Sequence, residues 1–247
     1  MNDRMRKGCC RLLTLLLTLV LVIPAYGQET LDALAAAQGC TAETLLQSDK
    51  LTAGDSVSDW MAIAVSRAGT EGDTSAYRKA LERYVTRMYR EQGGLDRLRA
   101  TEWQRTVLTA LALGADPTAF GRDKNGRSVN LLADGVYQFT AAKSLGTQGL
   151  NGWIFGLIAL DSARFAVPED AVYTRATILQ ALVAAQEPEG GFGLTVGNAD
   201  VDLTAMTLQA LAPYQNSTVT YIGTSGESVT IREVVRRALA WLSDQQT

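Results

Sequence analysis

Polar and aromatic side chains recur near the starts of four apolar segments, and together they could bind a ligand or carry out acid–base chemistry. The candidate site residues are Trp60, Glu102, Trp103, Arg105, Asn151, Trp153, Asp200 and Asp202. If the four segments are helices that run parallel, these side chains ring one mouth, as polar groups and aromatic rings do in ligand clefts. Asp55, Asp59 and Gln104 extend this ring. Two carboxylates at such a mouth could also hydrolyse glycosides, which requires acids about 5 to 9.5 Å apart.

The same residues also suit purely structural roles. Asp202 and Glu102 can cap free backbone N–H groups and meet the positive end of a helix dipole. Thr101 and Gln104 have the spacing of a capping box, in which the first and fourth residues of a helix start bond to each other's backbone. The three tryptophans also fit a hydrophobic core. Each candidate residue therefore has a capping or packing interpretation beside the ligand-binding one.

Several kinds of catalytic centre are excluded by the residues that the sequence lacks. The chain contains no histidine, which excludes Ser-His-Asp and Cys-His nucleophilic sites. It has no D-D-x-x-D motif for magnesium-diphosphate chemistry and no Gly-rich phosphate loop, so we expect no cofactor. Residues 198–202 alternate oxygen ligands as calcium loops do, but the later bidentate glutamate is missing. We therefore predict no catalytic residue and no metal site.

The first 27 residues have the pattern of a signal peptide. A basic stretch precedes an apolar run at 12–23, and Pro24 then breaks the run. Small residues at Ala25 and Gly27 stand at the two positions that signal peptidase reads. We expect cleavage after Gly27 and a mature chain, 28–247, that is secreted or at the cell surface and no longer associates with the membrane. An uncleaved membrane anchor is the alternative, although the run is short of the ~20 apolar residues that span a bilayer.

Cleavage makes the chain more acidic. Removing four basic residues and Asp3 from the 23 basic and 26 acidic residues leaves 19 against 25, a net charge of −6. Nucleic acid is therefore an unsuitable partner, because its binding depends on Lys and Arg at phosphates. Only Cys40 remains of the three cysteines, so no intramolecular disulfide can form. The mature length suits one domain with a single apolar core.

Hydrophobic patterning predicts pairs of helices. The four segments at 58–68, 102–113, 151–160 and 202–211 are apolar on most faces, which indicates burial on several sides, and they start roughly 45 to 50 residues apart. Between them, the segments at 75–91, 130–139, 169–186 and 231–246 are amphipathic and should form an outer layer. A lead-in helix is predicted around 31–37 and 43–47. Residues 219–222 and 227–230 flank a turn and predict one small hairpin.

One stretch, QEPEGGFGLTVGNADVDLTAMTLQALAPY at 186–214, joins an outer helix to an inner one. Gly190, Gly191 and Phe192 should make a tight turn with at least one positive φ, and Phe192 should pack between neighbouring helix pairs. With ATEWQRTVLTALALGADP and QGLNGWIFGLIALDSARFAVP, this stretch resembles the prenyltransferase and squalene-cyclase type of repeat. The likeness is to exported bacterial proteins of that class and to the α-domain of transcobalamin-like proteins.

This resemblance implies an all-α fold, an α/α toroid of helical hairpins. A complete toroid of this class has six hairpins, whereas the sequence indicates about four and a lead-in helix. The sequence also ends at Thr247, where the next Gly-Gly-Phe turn is due. We therefore expect residues 28–247 to be a repeat domain that lacks its last repeats. Its two open edges, at the lead-in helix and at 231–246, should favour self-association.

The function that the resemblance implies is binding rather than catalysis. The zinc set of protein prenyltransferases, an Asp, a Cys and a His, is incomplete here. The D-x-D-D acid motif of terpene cyclases is also incomplete, because Asp200-Val201-Asp202 is followed by Leu203. We predict an exported non-catalytic binding or scaffolding module, with a small-molecule or surface ligand such as a corrin or another sizeable, partly apolar compound. The alternatives are a terpene-cyclase-like or α/α-barrel polysaccharide-processing enzyme with acids at the inner-helix mouth, and a functionless fragment.

Overall fold

A computed structural model describes residues 52–67, 74–195 and 197–246, and this part of the chain is mostly helical. Its α-helices are α1 (Ser56–Arg67), α2 (Ser75–Glu91), α3 (Ala100–Ala112), α4 (Asn151–Asp161), α5 (Arg175–Ala184), α6 (Val201–Leu211) and α7 (Ile231–Asp244). Short 3-10 turns span Pro117–Ala119 and Ala212–Tyr214, and a π-helical turn spans Ala133–Tyr137. The predicted predominance of helix is confirmed.

The four apolar segments form helices within two residues of their predicted bounds. They pack in chain order, with α1 on α3, α3 on α4 and α4 on α6. In α4 the buried residues include Ile154, Leu157 and Leu160 together with two glycines and an alanine, so several faces are covered. A helix that is apolar on most faces loses its exposed surface only when it has neighbours on several sides, and α4 contacts α3, α5 and α6.

The amphipathic segments bury one face each. Helix α2 has the bounds that the sequence predicts, and its buried side chains are Tyr77, Leu81, Val85 and Tyr89. These positions recur every four residues, so they form one stripe on the helix surface. Helix α7 buries Ile231, Val234 and Ala238 and packs on α6. Thr230 and Glu233 form the expected capping box at its start.

In two of the predicted outer helices, the observed element differs from the predicted one in its type or its start. In the segment 130–139, the chain forms the π-helical turn and places Gly135 against the Trp103 side chain of α3. A Cβ at Gly135 would lie 2.1 Å from the Cβ of Trp103, so the close approach requires glycine. In the segment 169–186, the helix starts only at Arg175, because Thr174 and Thr177 form a reciprocal cap there. The predicted start of this helix at 169 is therefore wrong.

The Gly-Gly-Phe turn and the small hairpin are present. Gly190 has φ of +107°, and its N–H donates to the carbonyl of Glu187 at 2.9 Å. Phe192 is fully buried and begins β1 (Phe192–Gly193), which pairs antiparallel with β2 (Ala199–Asp200) just before α6. Further along, β3 (Thr220–Ile222) pairs antiparallel with β4 (Ser228–Thr230), as the sequence predicts.

The predicted signal peptide and lead-in helix lie outside the described residues. Within 52–67, 74–195 and 197–246, no helix combines the length and the apolar character that crossing a bilayer requires.

Candidate functional site

The N-terminal ends of three helices meet at one cavity. The cavity has a volume of about 290 Å³, and we call it the mouth cavity. It is lined by Ser56, Trp60, Arg99, Thr101, Glu102, Arg105, Asn151 and Phe155. Ser56 begins α1 and Asn151 begins α4, while Arg99 immediately precedes α3. The structure therefore brings four of the eight candidate residues together: Trp60, Glu102, Arg105 and Asn151.

Arg105 is the centre of a buried network beneath the mouth cavity. Its Nε donates to Asp59 Oδ2 at 3.0 Å, and its Nη2 donates to Glu102 Oε2 at 2.7 Å and to the Gly54 carbonyl at 2.8 Å. Asp59 also accepts from the Tyr77 hydroxyl at 2.8 Å. The network therefore ties α1, α2 and α3 together and holds the guanidinium in one orientation.

Burial of Asp59 opposes the ionisation of its carboxyl group. The residue has no exposed surface, and burial raises the pKa of its carboxyl group, although the hydrogen bonds from Tyr77 and Arg105 oppose that rise. Glu102 is held between two arginines, since Arg99 Nη1 lies 3.3 Å from Glu102 Oε1. Asp59 and Glu102 are thus each bound to a cation of the protein itself.

An aromatic surface and an unpaired amide oxygen complete the mouth cavity. Trp60 is 42% exposed, and its ring centroid lies 5.9 Å from that of Phe155 at a tilt of 53°. Asn151 Oδ1 is buried and has no hydrogen-bond partner among the described residues. Helix α4, which Asn151 begins, has no side-chain cap. The cavity therefore combines an apolar wall with the polar side chains of Arg99, Thr101 and Arg105.

Trp103 lies in the core rather than at the mouth cavity. Its Nε1 donates to the Tyr89 hydroxyl at 2.7 Å, which in turn donates to Asp134 Oδ2 at 2.7 Å. Its ring meets Phe139 edge to face, with centroids 5.7 Å apart. Partial desolvation raises the pKa of Asp134, and the Tyr89 hydrogen bond opposes this rise. These two hydrogen bonds link α3, α2 and the π-helical turn.

The remaining three candidate residues are separate from the mouth cavity. Trp153 packs edge to face on Tyr173, with centroids 5.5 Å apart, and borders a smaller cleft of about 190 Å³ beside Leu194. Asp200 caps α6 by accepting from the Leu203 N–H at 2.8 Å. Asp202 is exposed in the first turn of that helix. The capping role expected of Asp202 thus belongs to Asp200.

Gln104 does not form the capping box predicted with Thr101. Helix α3 starts at Ala100 and its N-cap residue, Arg99, makes no side-chain cap bond, so Gln104 falls in the second turn. Its Nε2 donates instead to the carbonyls of Gly135 and Gly152, at 3.1 and 2.9 Å. Gln104 therefore holds the π-helical turn and α4 against α3.

Phe155 and Arg99 are cavity residues that the sequence analysis missed. Phe155 stands four residues after Asn151, the spacing that places two side chains on one face of a helix. That spacing was a usable signal once the start of α4 was known. Arg99 carries no such signal, because it precedes its helix and reaches the cavity through its contacts with Asp96 and Glu102.

Neither a metal site among the described residues nor a known relative assigns a function to this chain. Within 52–67, 74–195 and 197–246, no group of three or more His, Cys, Asp or Glu side chains could hold a metal ion. No protein-family model, no curated protein and no solved structure matches this chain.

Proposed function

We propose that this chain is an exported, non-catalytic binding or scaffolding module that takes up a partly apolar ligand at the mouth cavity. The observation that carries the proposal is the half-exposed ring of Trp60 beside the cavity. A soluble protein gains little from exposing a tryptophan to water, whereas a ligand ring that packs on it removes apolar surface from water on both partners. The buried Arg105 network keeps the adjacent polar wall rigid, so less freedom is lost on binding.

Asp59 and Glu102 already form ion pairs with arginines, which supports ligand binding over acid–base catalysis. A glycosidase needs one protonated and one ionised carboxyl group, each free to reach the substrate. Here Asp59 has no exposed surface and Glu102 lies between Arg99 and Arg105. Both carboxylates already have arginine partners, so neither is free to exchange a proton with a substrate. The enzyme alternative would require this network to be broken.

The packing of the helices supports membership of the prenyltransferase-like repeat class and a toroid-like arrangement. Helices α1, α3, α4 and α6 contact one another in chain order, as inner helices of such a repeat would. Three of them begin at the same cavity, which fits parallel inner helices. The amphipathic helices α2 and α7 each bury a single stripe, which fits an outer layer.

The dimensions of the mouth cavity limit what can enter it. Its volume of about 290 Å³ is at the lower end of small-molecule pockets, which start near 300 Å³. A corrin could therefore insert only an edge or a side group. The chemistry of the lining favours a ring that packs on Trp60 and carries a hydrogen-bond acceptor for Arg99 and Arg105.

Anilinonaphthalene sulfonate is a suitable first probe, because it carries aromatic rings, an N–H group and an anionic sulfonate. We expect saturable binding that W60A weakens by about tenfold, the equivalent of about 1.4 kcal/mol, and that W60F largely retains. Fluorescence titration measures the affinity, and circular dichroism confirms that each variant is folded. V57A is the matched control, since Val57 is exposed on the same helix and does not line the cavity. Equal affinities for W60A and the unaltered chain would contradict the proposal.

We also propose that the chain self-associates through α7. The structure buries Val234 and Ala238 of this helix, but Leu239 is 55% exposed. We expect light scattering over a concentration series to give a mass that rises with concentration, and L239E to reduce that rise because a charge opposes burial. A240E carries the same charge at the neighbouring exposed position and is the control. A monomer at all concentrations would refute this proposal and would leave the ligand proposal standing.

A further inference from the structure

The charges of this chain are unevenly distributed along the sequence. Residues 75–127 contain eleven basic and six acidic residues, a net charge of +5, whereas residues 128–247 contain six basic and eleven acidic residues, a net charge of −5. The basic excess therefore runs against the acidic balance of the whole chain. It is concentrated on α2 and on the loop at 121–128, which the structure places side by side.

Six cations form one exposed surface, which we call the basic groove. Its members are Lys79, Arg83, Arg87, Arg90, Arg122 and Lys124, all exposed. In the described part of the chain none of the six forms an ion pair, although Arg87 lies 5.7 Å from the ring centroid of Tyr84. Cations that neutralise no carboxylate of their own protein remain available to an anionic partner.

The two elements of the basic groove are fastened together. The Arg122 N–H donates to Thr86 Oγ1 at 3.1 Å, and a Cβ at Gly121 would come within 2.9 Å of Val85. The loop therefore rests directly on α2. Four of the cations lie along α2 itself, where the helical rise of 1.5 Å per residue spreads residues 79 to 90 over about 16 Å. Such a row suits an extended ligand better than a single ion.

The basic groove continues into a second depression, which we call the polar cleft. A shallow depression of about 560 Å³ runs along α2, and a second of about 750 Å³ adjoins it, with Arg90 and Glu91 lining both. The second is lined by neutral polar side chains as well as charged ones, among them Gln92, Asn125, Ser128 and Asn130. Amide and hydroxyl side chains both donate and accept hydrogen bonds, so they suit the hydroxyl groups of a sugar.

We propose that the basic groove and the polar cleft bind an extended acidic polysaccharide. The arginines face its carboxylates, for which the planar guanidinium is well matched, and the cleft receives the hydroxyl groups of neighbouring sugar rings. The occupant is defined by two complementary features, repeated negative charge and abundant hydroxyl groups. A lipid surface fits less well, because α2 presents no large exposed apolar side chain that could insert.

The test uses the mature chain with polygalacturonate as the probe and its methyl ester as the uncharged counterpart. We expect polygalacturonate to bind with an affinity that falls steeply with added salt, as in other polyelectrolyte complexes, and the methyl ester to bind at least about tenfold more weakly. R83E/R87E should lower the affinity for polygalacturonate by about tenfold or more, since it replaces two cations of the basic groove with anions. R232E/R236E, an equal charge change on the exposed face of α7, should leave it unchanged.

A second variant separates a polysaccharide from other polyanions. Q92A/N125A keeps every cation but removes two polar side chains of the cleft, so it should weaken polygalacturonate binding and leave polyphosphate binding unaltered. Equal effects on both probes would overturn the proposal, as would tighter binding to acidic lipid vesicles or insensitivity to R83E/R87E. Loss of self-association in R83E/R87E would assign the groove to the acidic half of a second copy and would also overturn it.

Discussion

Replacing Gly190 with alanine is expected to lower the free energy of unfolding by about 2–5 kcal/mol. Gly190 has φ of +107°, and forcing an L-residue into a left-handed conformation costs about 1–2 kcal/mol. A Cβ there would also lie 2.6 Å from the carbonyl oxygen of Arg237, so α7 would have to move, and such overpacking costs about 1–3 kcal/mol more. Urea denaturation followed by circular dichroism measures the change.

Gly197 provides the matched control for that experiment. Its φ is +82° and a Cβ there would meet nothing within 4 Å, so G197A should lose only the backbone contribution of about 1–2 kcal/mol. The difference between the two variants therefore isolates the contact between the Gly-Gly-Phe turn and α7. Equal losses for G190A and G197A would show that this contact does not constrain the turn.

Replacing Arg105 with methionine is expected to cost about 3–5 kcal/mol, the usual effect of leaving a buried charge without its partner. Asp59 has no exposed surface, and Arg105 lies 3.0 Å from it. The double variant D59N/R105M should lose less than the sum of the single losses, because removing both charges removes the uncompensated one. R127M is the control. The Arg127 side chain is 75% exposed in its ion pair with Asp123, and such a pair should contribute less than about 1 kcal/mol.

The loss in R105M should also depend on pH. Burial already raises the pKa of Asp59 in the folded protein above its ordinary value, and removing the guanidinium raises it further. A carboxyl group whose pKa is higher in the folded than in the unfolded state loses its contribution to stability as pH rises through the folded pKa. The destabilisation by R105M should therefore be largest near neutral pH and shrink in acid. A loss that stays constant with pH would mean that Asp59 does not titrate in the variant.

The helices of this chain are largely encoded by local sequence patterns. Helix α2 has its predicted bounds, because its apolar residues recur with the helical period. Helix α7 starts where Thr230 and Glu233 predict, since a capping box involves only residues three apart. Helix α5 starts later than its predicted segment, because the reciprocal cap between Thr174 and Thr177 sets its first turn.

The site, in contrast, depends on residues that are far apart in the sequence. Asp59 and Arg105 pair across 46 positions, and Gln104 reaches the carbonyl of Gly152 across 48. Nothing in the local pattern distinguishes Trp60, which borders the mouth cavity, from Trp103, which is buried against Phe139. Periodicity and capping determine which residues become helical, because both act within one or two turns. Which side chains share a cavity depends on how the helices pack, and only the tertiary structure decides that.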